Sequence, residues 1–157
     1  MQKKNVSGRA SRVGGKENGS GDFNTWCEFR SSLAGKQYPD KIIALAEQVH
    51  GHCKYVYDVP GENISYTLTP ALSFRVPCNF PDIKTVFSFM RIQKKAIKLY
   101  LSFMGNLPVA ENIKVNPVDK KELIVDLREE TEFTPAIREL IKKSWNIITE
   151  MQKGNTV

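Results

Sequence analysis

This chain lacks the runs and clusters that most directly assign a function. Nowhere do about 18 apolar residues follow one another, so no segment has the make-up of a transmembrane helix, and the opening MQKKNVSGRA lacks the apolar centre of a secretory signal. An intracellular, cytoplasmic protein with no membrane partner is the expectation. There are only three cysteines, Cys27, Cys53 and Cys78, spread along the chain with no CxxC pair. That excludes a disulfide framework and a four-cysteine zinc site, and predicts reduced thiols that pack as small buried hydrophobes. The adjacent glycines Gly14 and Gly15 follow no strand, so no phosphate-cradling loop is present. No cofactor is expected.

What is present is material for one folded domain of ordinary size. The chain has 157 residues, 41% of them apolar and 25% charged, with a formal net charge of +6 and a pI near 9.2. A basic balance favours acidic partners such as DNA or RNA. Residues 1–22 contain Val6 and Val13 as their only aliphatic side chains larger than alanine besides Met1, among Gly, Ser, Asn and charge. Such a segment cannot bury enough apolar surface to offset its ordering entropy, and reads as a disordered basic tail. Lys3, Lys4, Arg9, Arg12 and Lys16 against Glu17 and Asp22 make it an arm able to search along a polyanion, or a solubilising leader. Residues 23–152 read as a single α+β domain and 153–157 as a flexible C-terminus.

Within the domain, Asp22 or Asn24 is placed to cap a helix carrying Phe23, Trp26, Phe29 and Leu33, with Gly35 as its left-handed terminator. Tyr38-Pro39-Asp40 starts a second helix with Ile42, Ile43, Ala46 and Val49 on one face and Gly51 at its end. The run 53–59, CKYVYDV, has strand composition; Pro60 to Asn63 reads as a turn, followed by strands at 64–69 and 71–76 on either side of Pro70. After a loop containing Pro77 and Pro81 come two alternating runs around a basic turn at Gln93-Lys94-Lys95. Phe87 and Phe89 repeat at period two on one side, and Ile97, Leu99, Leu101 and Phe103 on the other, which predicts a β-hairpin. A loop over 104–121, a strand at 122–127, and a helix opened by Thr134-Pro135 with Ile137, Leu140, Ile141, Ile148 and Met151 in one stripe complete the pattern. The sum is an α+β fold with a mostly antiparallel sheet of about five strands, two N-terminal helices and one C-terminal helix.

The hairpin also concentrates charge, with Arg91, Lys94, Lys95 and Lys98 within eight positions. These four are the expected phosphate contacts of a non-catalytic nucleic-acid-binding module. Tyr55, Tyr57 and Tyr66 alternate along apparent strands and, with Tyr100, are candidate stacking residues for bases. Trp145 lies off the main stripe of the last helix and could join Tyr100 in an interaction patch. The alternative is a protein-interaction or accessory subunit in which the lysines are only a solvated face.

Segments 64–69 (ISYTLT), 86–103 (VFSFMRIQKKAIKLYLSF) and 137–148 (IRELIKKSWNII) together resemble a small uncharacterised α+β domain, known as a predicted transport protein and found alone or fused to restriction-type nucleases. More distantly they resemble the double-wing domains of the MmcQ/YjbR type. The resemblance implies a binding or accessory module, links the fold to DNA, and brings no catalytic residues with it. The Gly-His-Trp-Gly segment of that pattern has no counterpart in 107–121.

Catalytic and metal constellations are thin. His50-Gly51-His52-Cys53 groups metal-ligand types, and Cys27 or Cys78 could complete four ligands, but the spacing contains no recognised pair, and a helix-terminal histidine beside the last carbonyls accounts for His50. No metal site is expected. Asp82-Ile83-Lys84 matches the short element of a metal-dependent nuclease, with Asp40 as its first carboxylate, and gives a third functional reading. Asp126, Glu129, Glu130 and Glu132 read as a solvated acidic approach to the last helix.

Overall fold

A computed structural model of the chain describes residues 21–108 and 110–155. The expectations for residues 1–20 lie outside the described residues. The folded body begins at Gly21 and Asp22: the Asp22 amide donates to the Tyr66 carbonyl (2.8 Å), and its carboxylate accepts from the Leu68 amide (2.8 Å).

Helix α1 spans Trp26–Gly35. Its cap is Thr25, not Asp22 or Asn24: the Thr25 hydroxyl accepts from the Glu28 amide (3.2 Å) while the Glu28 carboxylate reaches back to the Asn24 amide (2.8 Å). The left-handed residue after it is Gln37, with φ 63°, and Gly35 remains helical. Helix α2 spans Asp40–Gly51 and buries Ile42, Ile43, Leu45, Ala46 and Val49.

Gly51 does not stop α2. It has right-handed helical dihedrals, and the chain runs on through a π-helical turn at His52–Val56, beyond which Asp58 has φ 54°. The strand expected at 53–59 is therefore absent. Ala46, Val49 and Cys53 keep the helical spacing of three and four on the buried side, and that tertiary demand overrides the strand composition of the segment.

Six strands form one fully antiparallel sheet in the order β1-β2-β3-β4-β6-β5. They are β1 Ile64–Thr67, β2 Ala71–Arg75, β3 Val86–Ile92, β4 Ile97–Ser102, β5 Ile113–Val115 and β6 Glu122–Leu127. Pro70 sits in the β1–β2 turn. The three-residue β5, an edge strand inside the expected loop 104–121, raises the count from about five to six. Tyr66, Leu72, Met90, Leu99, Val125 and Ile113 lie in one register row across all six strands, and all are buried under the helices.

The expected pairing of Phe87 with Phe89 on one face does not hold. Phe74 pairs with Ser88 and Arg75 with Val86, so Phe87 is an extra residue in β3. This bulge turns Phe87 into the core beside Phe74 and Tyr57, while Phe89 keeps the opposite face.

Helix α3, Pro135–Gln152, is capped by Thr134 with Pro135 at its first position and packs on β3 and β4. Two buried polar side chains fix it. Ser144 donates to the Phe87 carbonyl (2.5 Å) and accepts from the Ser102 amide (2.9 Å), so the bulged carbonyl and a strand-end amide both find a partner. Gln152 shares its amide hydrogens among the carbonyls of Phe80, Ile83 and Lys84, and its oxygen accepts from the amides of Asn79 and Phe80 (2.7 and 2.8 Å). One side chain thereby holds the irregular segment 79–84 against the helix end. The C-terminal residues 153–155 continue this order: the Asn155 side chain donates to the Glu150 carboxylate (2.8 Å).

Candidate binding face of the sheet

No described helix packs on the other face of the sheet. Its central register row reads Ser65, Ser73, Phe89, Tyr100, Ile124 and Lys114, and the next row reads Thr67, Ala71, Arg91, Lys98 and Asp126. Phe89 and Tyr100 are cross-strand partners on the two central strands, with ring centroids 5.6 Å apart in an edge-to-face arrangement. They form part of a groove of about 520 Å³ whose far wall is the segment Pro81 to Thr85, and whose rim carries Arg91, Lys84, Asp82 and Glu122. Toward β1 the buried Arg75 donates to the Ser65 hydroxyl (3.0 Å) and the Glu62 carbonyl (2.8 Å), and burial lowers its pKa.

The four hairpin cations do not converge. Arg91 and Lys98 are cross-strand partners on this face. Lys98, however, is paired with Asp126 at 2.7 Å, both side chains being about one-third exposed. Lys94 turns to the helix side, where its ammonium donates to the Lys36 carbonyl and lies 4.4 Å above the Tyr38 ring. It thus pins the hairpin turn to the α1–α2 connection. Lys95 is exposed at the turn. Five of the 23 Lys and Arg residues and one of the 17 Asp and Glu residues fall within 1–20, so the rest of the chain carries a surplus of only two positive charges.

The four tyrosines separate as well. Only Tyr100 lies on the strand face with the cations. Tyr55 is 74% exposed on the π-helical turn, next to Lys54. Tyr57 packs between Phe87 and Trp145, and burial pushes its pKa up to about 12. Trp145 is therefore the partner of Tyr57, not of Tyr100. Tyr66 is in the core. Sequence reasoning missed Phe89 as a partner of Tyr100 because the bulge is invisible in the hydrophobic pattern; the pairing follows only once hairpin register is known.

The histidine and cysteine cluster is drawn apart by aromatic packing. His50 stacks on Trp26 at 4.6 Å between centroids, and its Nε2 lies 2.9 Å from the Tyr66 hydroxyl, so it belongs to the core and not to the last carbonyls of α2. Burial, with Lys54 adding repulsion, lowers its pKa to about 4. His52 meets Tyr57 and Phe133 edge-on, and burial and Arg138 lower its pKa also. Cys53 lies 3.6 Å from the Ser88 hydroxyl, fully buried, whereas Cys27 and Cys78 are exposed, contrary to the expectation that all three thiols pack inside. Among the described residues, no three His, Cys, Asp or Glu side chains gather in a metal-ligand arrangement. Asp40 opens α2, Asp82 stands on the groove rim, and Lys84 is 3.4 Å from Glu122. No described helix is long and apolar enough to cross a membrane.

No known protein family matches the chain, and neither a curated protein nor a solved structure matches it.

Proposed function

We propose that the chain is a non-catalytic binding module whose sheet face opposite the described helices takes single-stranded nucleic acid, bases against Tyr100 beside Phe89 and phosphates at Arg91 and Lys95. The observation that supports this reading is the cross-strand Phe89–Tyr100 pair at the floor of a groove, with Arg91 in the adjoining row. Aromatic side chains on a sheet accept any base, at about 1–3 kcal/mol per stacked base. The electrostatic share is smaller than four lysine or arginine contacts would give. Asp126 already neutralises Lys98 and Lys94 is held on the helix side, which leaves two hairpin cations for phosphate.

A fluorescence-anisotropy titration of the full chain with a labelled oligothymidine at several salt concentrations tests the reading. Two contacts correspond to a slope of log affinity on log salt near −1.4, about −0.7 per contact on a single strand. Tyr100→Ala is expected to weaken binding by about tenfold, within the stacking range. Absence of binding tighter than about 0.1 mM at low salt, a level non-specific binders commonly reach, abandons the nucleic-acid reading in favour of a protein partner.

A further inference from the structure

On the helix side of the sheet, a second cleft of about 680 Å³ opens between the C-terminal half of α3 and the loops that follow β4 and precede β6. That volume falls within the range of about 300–1,000 Å³ usual for small-molecule sites. Its floor is apolar for a local reason. The alternation Leu99, Leu101, Phe103 keeps Phe103 on the helix side, and Ile147 and Met151, one helical turn apart, face the same space. Met104, 53% exposed, completes the floor, so that two flexible thioether side chains can adjust to an occupant.

Hydrogen bonds tie the walls of the cleft together. The Phe103 amide donates to the Lys121 carbonyl (2.9 Å), joining the two loops, and Gln152 holds Ile83 and Lys84. The Asp119 carboxylate accepts from the Lys121 amide (3.0 Å). Three lysines, Lys84, Lys120 and Lys121, stand on the lining. Glu122 pairs with Lys84 at 3.4 Å, while Lys120 and Lys121 have no ion-pair partner among the described residues.

We propose that this cleft binds a free single-chain carboxylate amphiphile, its alkyl chain along Phe103, Met104, Ile147 and Met151 and its carboxylate at Lys120 and Lys121. Charge complementarity selects the anionic head, and an apolar floor walled by α3 and two tied loops suits one flexible chain. The site is independent of the oligonucleotide face, with which it shares only Ile83 and Lys84 at the sheet margin.

The experiment is a titration of the full chain with sodium dodecanoate below its micelle concentration, followed by calorimetry and by amide chemical shifts, with dodecyltrimethylammonium as the cation of matched length. The expected result is saturable one-to-one binding of dodecanoate, shifts centred on Phe103, Met104, Ile147 and Met151, and at least fivefold weaker binding of the cation. Lys120→Glu/Lys121→Glu, which changes two exposed side chains, is expected to weaken dodecanoate by about fivefold or more, in line with exposed charge pairs. Met104→Asp is expected to weaken it as well, with melting curves near wild type. The proposal is overturned by absence of saturable binding, by equal binding of the cation, by shifts centred on Tyr100 and Arg91, or by association with phosphatidylglycerol vesicles in the absence of any monomer binding.

Discussion

The Tyr66 hydroxyl lies 2.9 Å from Nε2 of His50, whose ring is at the same time stacked on Trp26 with centroids 4.6 Å apart. The imidazole is thus held between α1, α2 and the edge strand β1 in a setting that favours its neutral form. With a pKa near 4 in the folded chain against about 6.5 when unfolded, the unfolded state takes up the proton first as pH falls. Stability should therefore be level above about pH 7, decline between about pH 6.5 and 4, and gain no further loss from this group below that. The shift corresponds to an upper bound of about 3–4 kcal/mol. Urea midpoints across pH for the wild type and His50→Gln test this: the variant should lose most of the decline, with His52, also lowered, supplying the remainder.

Two glycines should respond in opposite directions to alanine. A Cβ on Gly21 would lie 2.3 Å from the Tyr66 carbonyl oxygen and 2.6 Å from its nitrogen, both backbone atoms that cannot step aside. Gly21→Ala is expected to cost about 1–3 kcal/mol. Gly35, helical and with nothing within 4 Å of its Cβ position, should gain about 0.5–1 kcal/mol on the same change. Thermal unfolding of the pair, read against wild type, decides both.

Asp126 sets the charge available on the sheet face. Replacing it with Asn frees Lys98, so Asp126→Asn should bind oligothymidine more tightly and steepen the salt slope by about 0.7. The loss of a partly exposed ion pair should cost no more than about 1 kcal/mol of stability. An unchanged slope would show that Lys98 does not meet phosphate.

The thiols should divide into two classes. Cys27 and Cys78 are exposed, whereas burial pushes the Cys53 thiol up to about 12, leaving almost no thiolate near neutrality. A thiol reagent applied to the native protein should therefore titrate two groups quickly and the third only at the rate of unfolding. Rapid reaction of all three would contradict the packing of Cys53 against Ser88.

The helices and most strands were readable because their signals are local: Thr134-Pro135 starts α3 as the capping pattern predicts, and the short apolar run Leu123–Val125 within 122–127 forms β6. The segment 53–59 misled because Tyr, Val and Tyr favour strands, while the spacing of Cys53 from Val49 and Ala46, which decides the outcome, acts through the core. The sheet-face residues were half legible. Arg91, Lys98 and Tyr100 follow from the hairpin, but Asp126 comes from a strand more than twenty residues on, and only register places it opposite Lys98. The contacts of Lys94 were not legible for the same reason: its partners, Lys36 and Tyr38, belong to a distant turn.

The extra residue at Phe87 divides β3 into two halves that are out of step with one another. Elsewhere in the strand, losing one residue would exchange its inward and outward side chains and destroy both the core row and the groove floor. At Phe87 the same loss would restore an unbroken ladder, with Val86 and Ser88 already facing Arg75 and Phe74. The face opposite the described helices would keep its composition, and the penalty would be one phenyl ring missing from the interior together with the carbonyl to which the buried Ser144 donates. Loss of one residue at this position therefore leaves the outward row of β3 in place, whereas the same loss elsewhere in the strand would exchange its two faces.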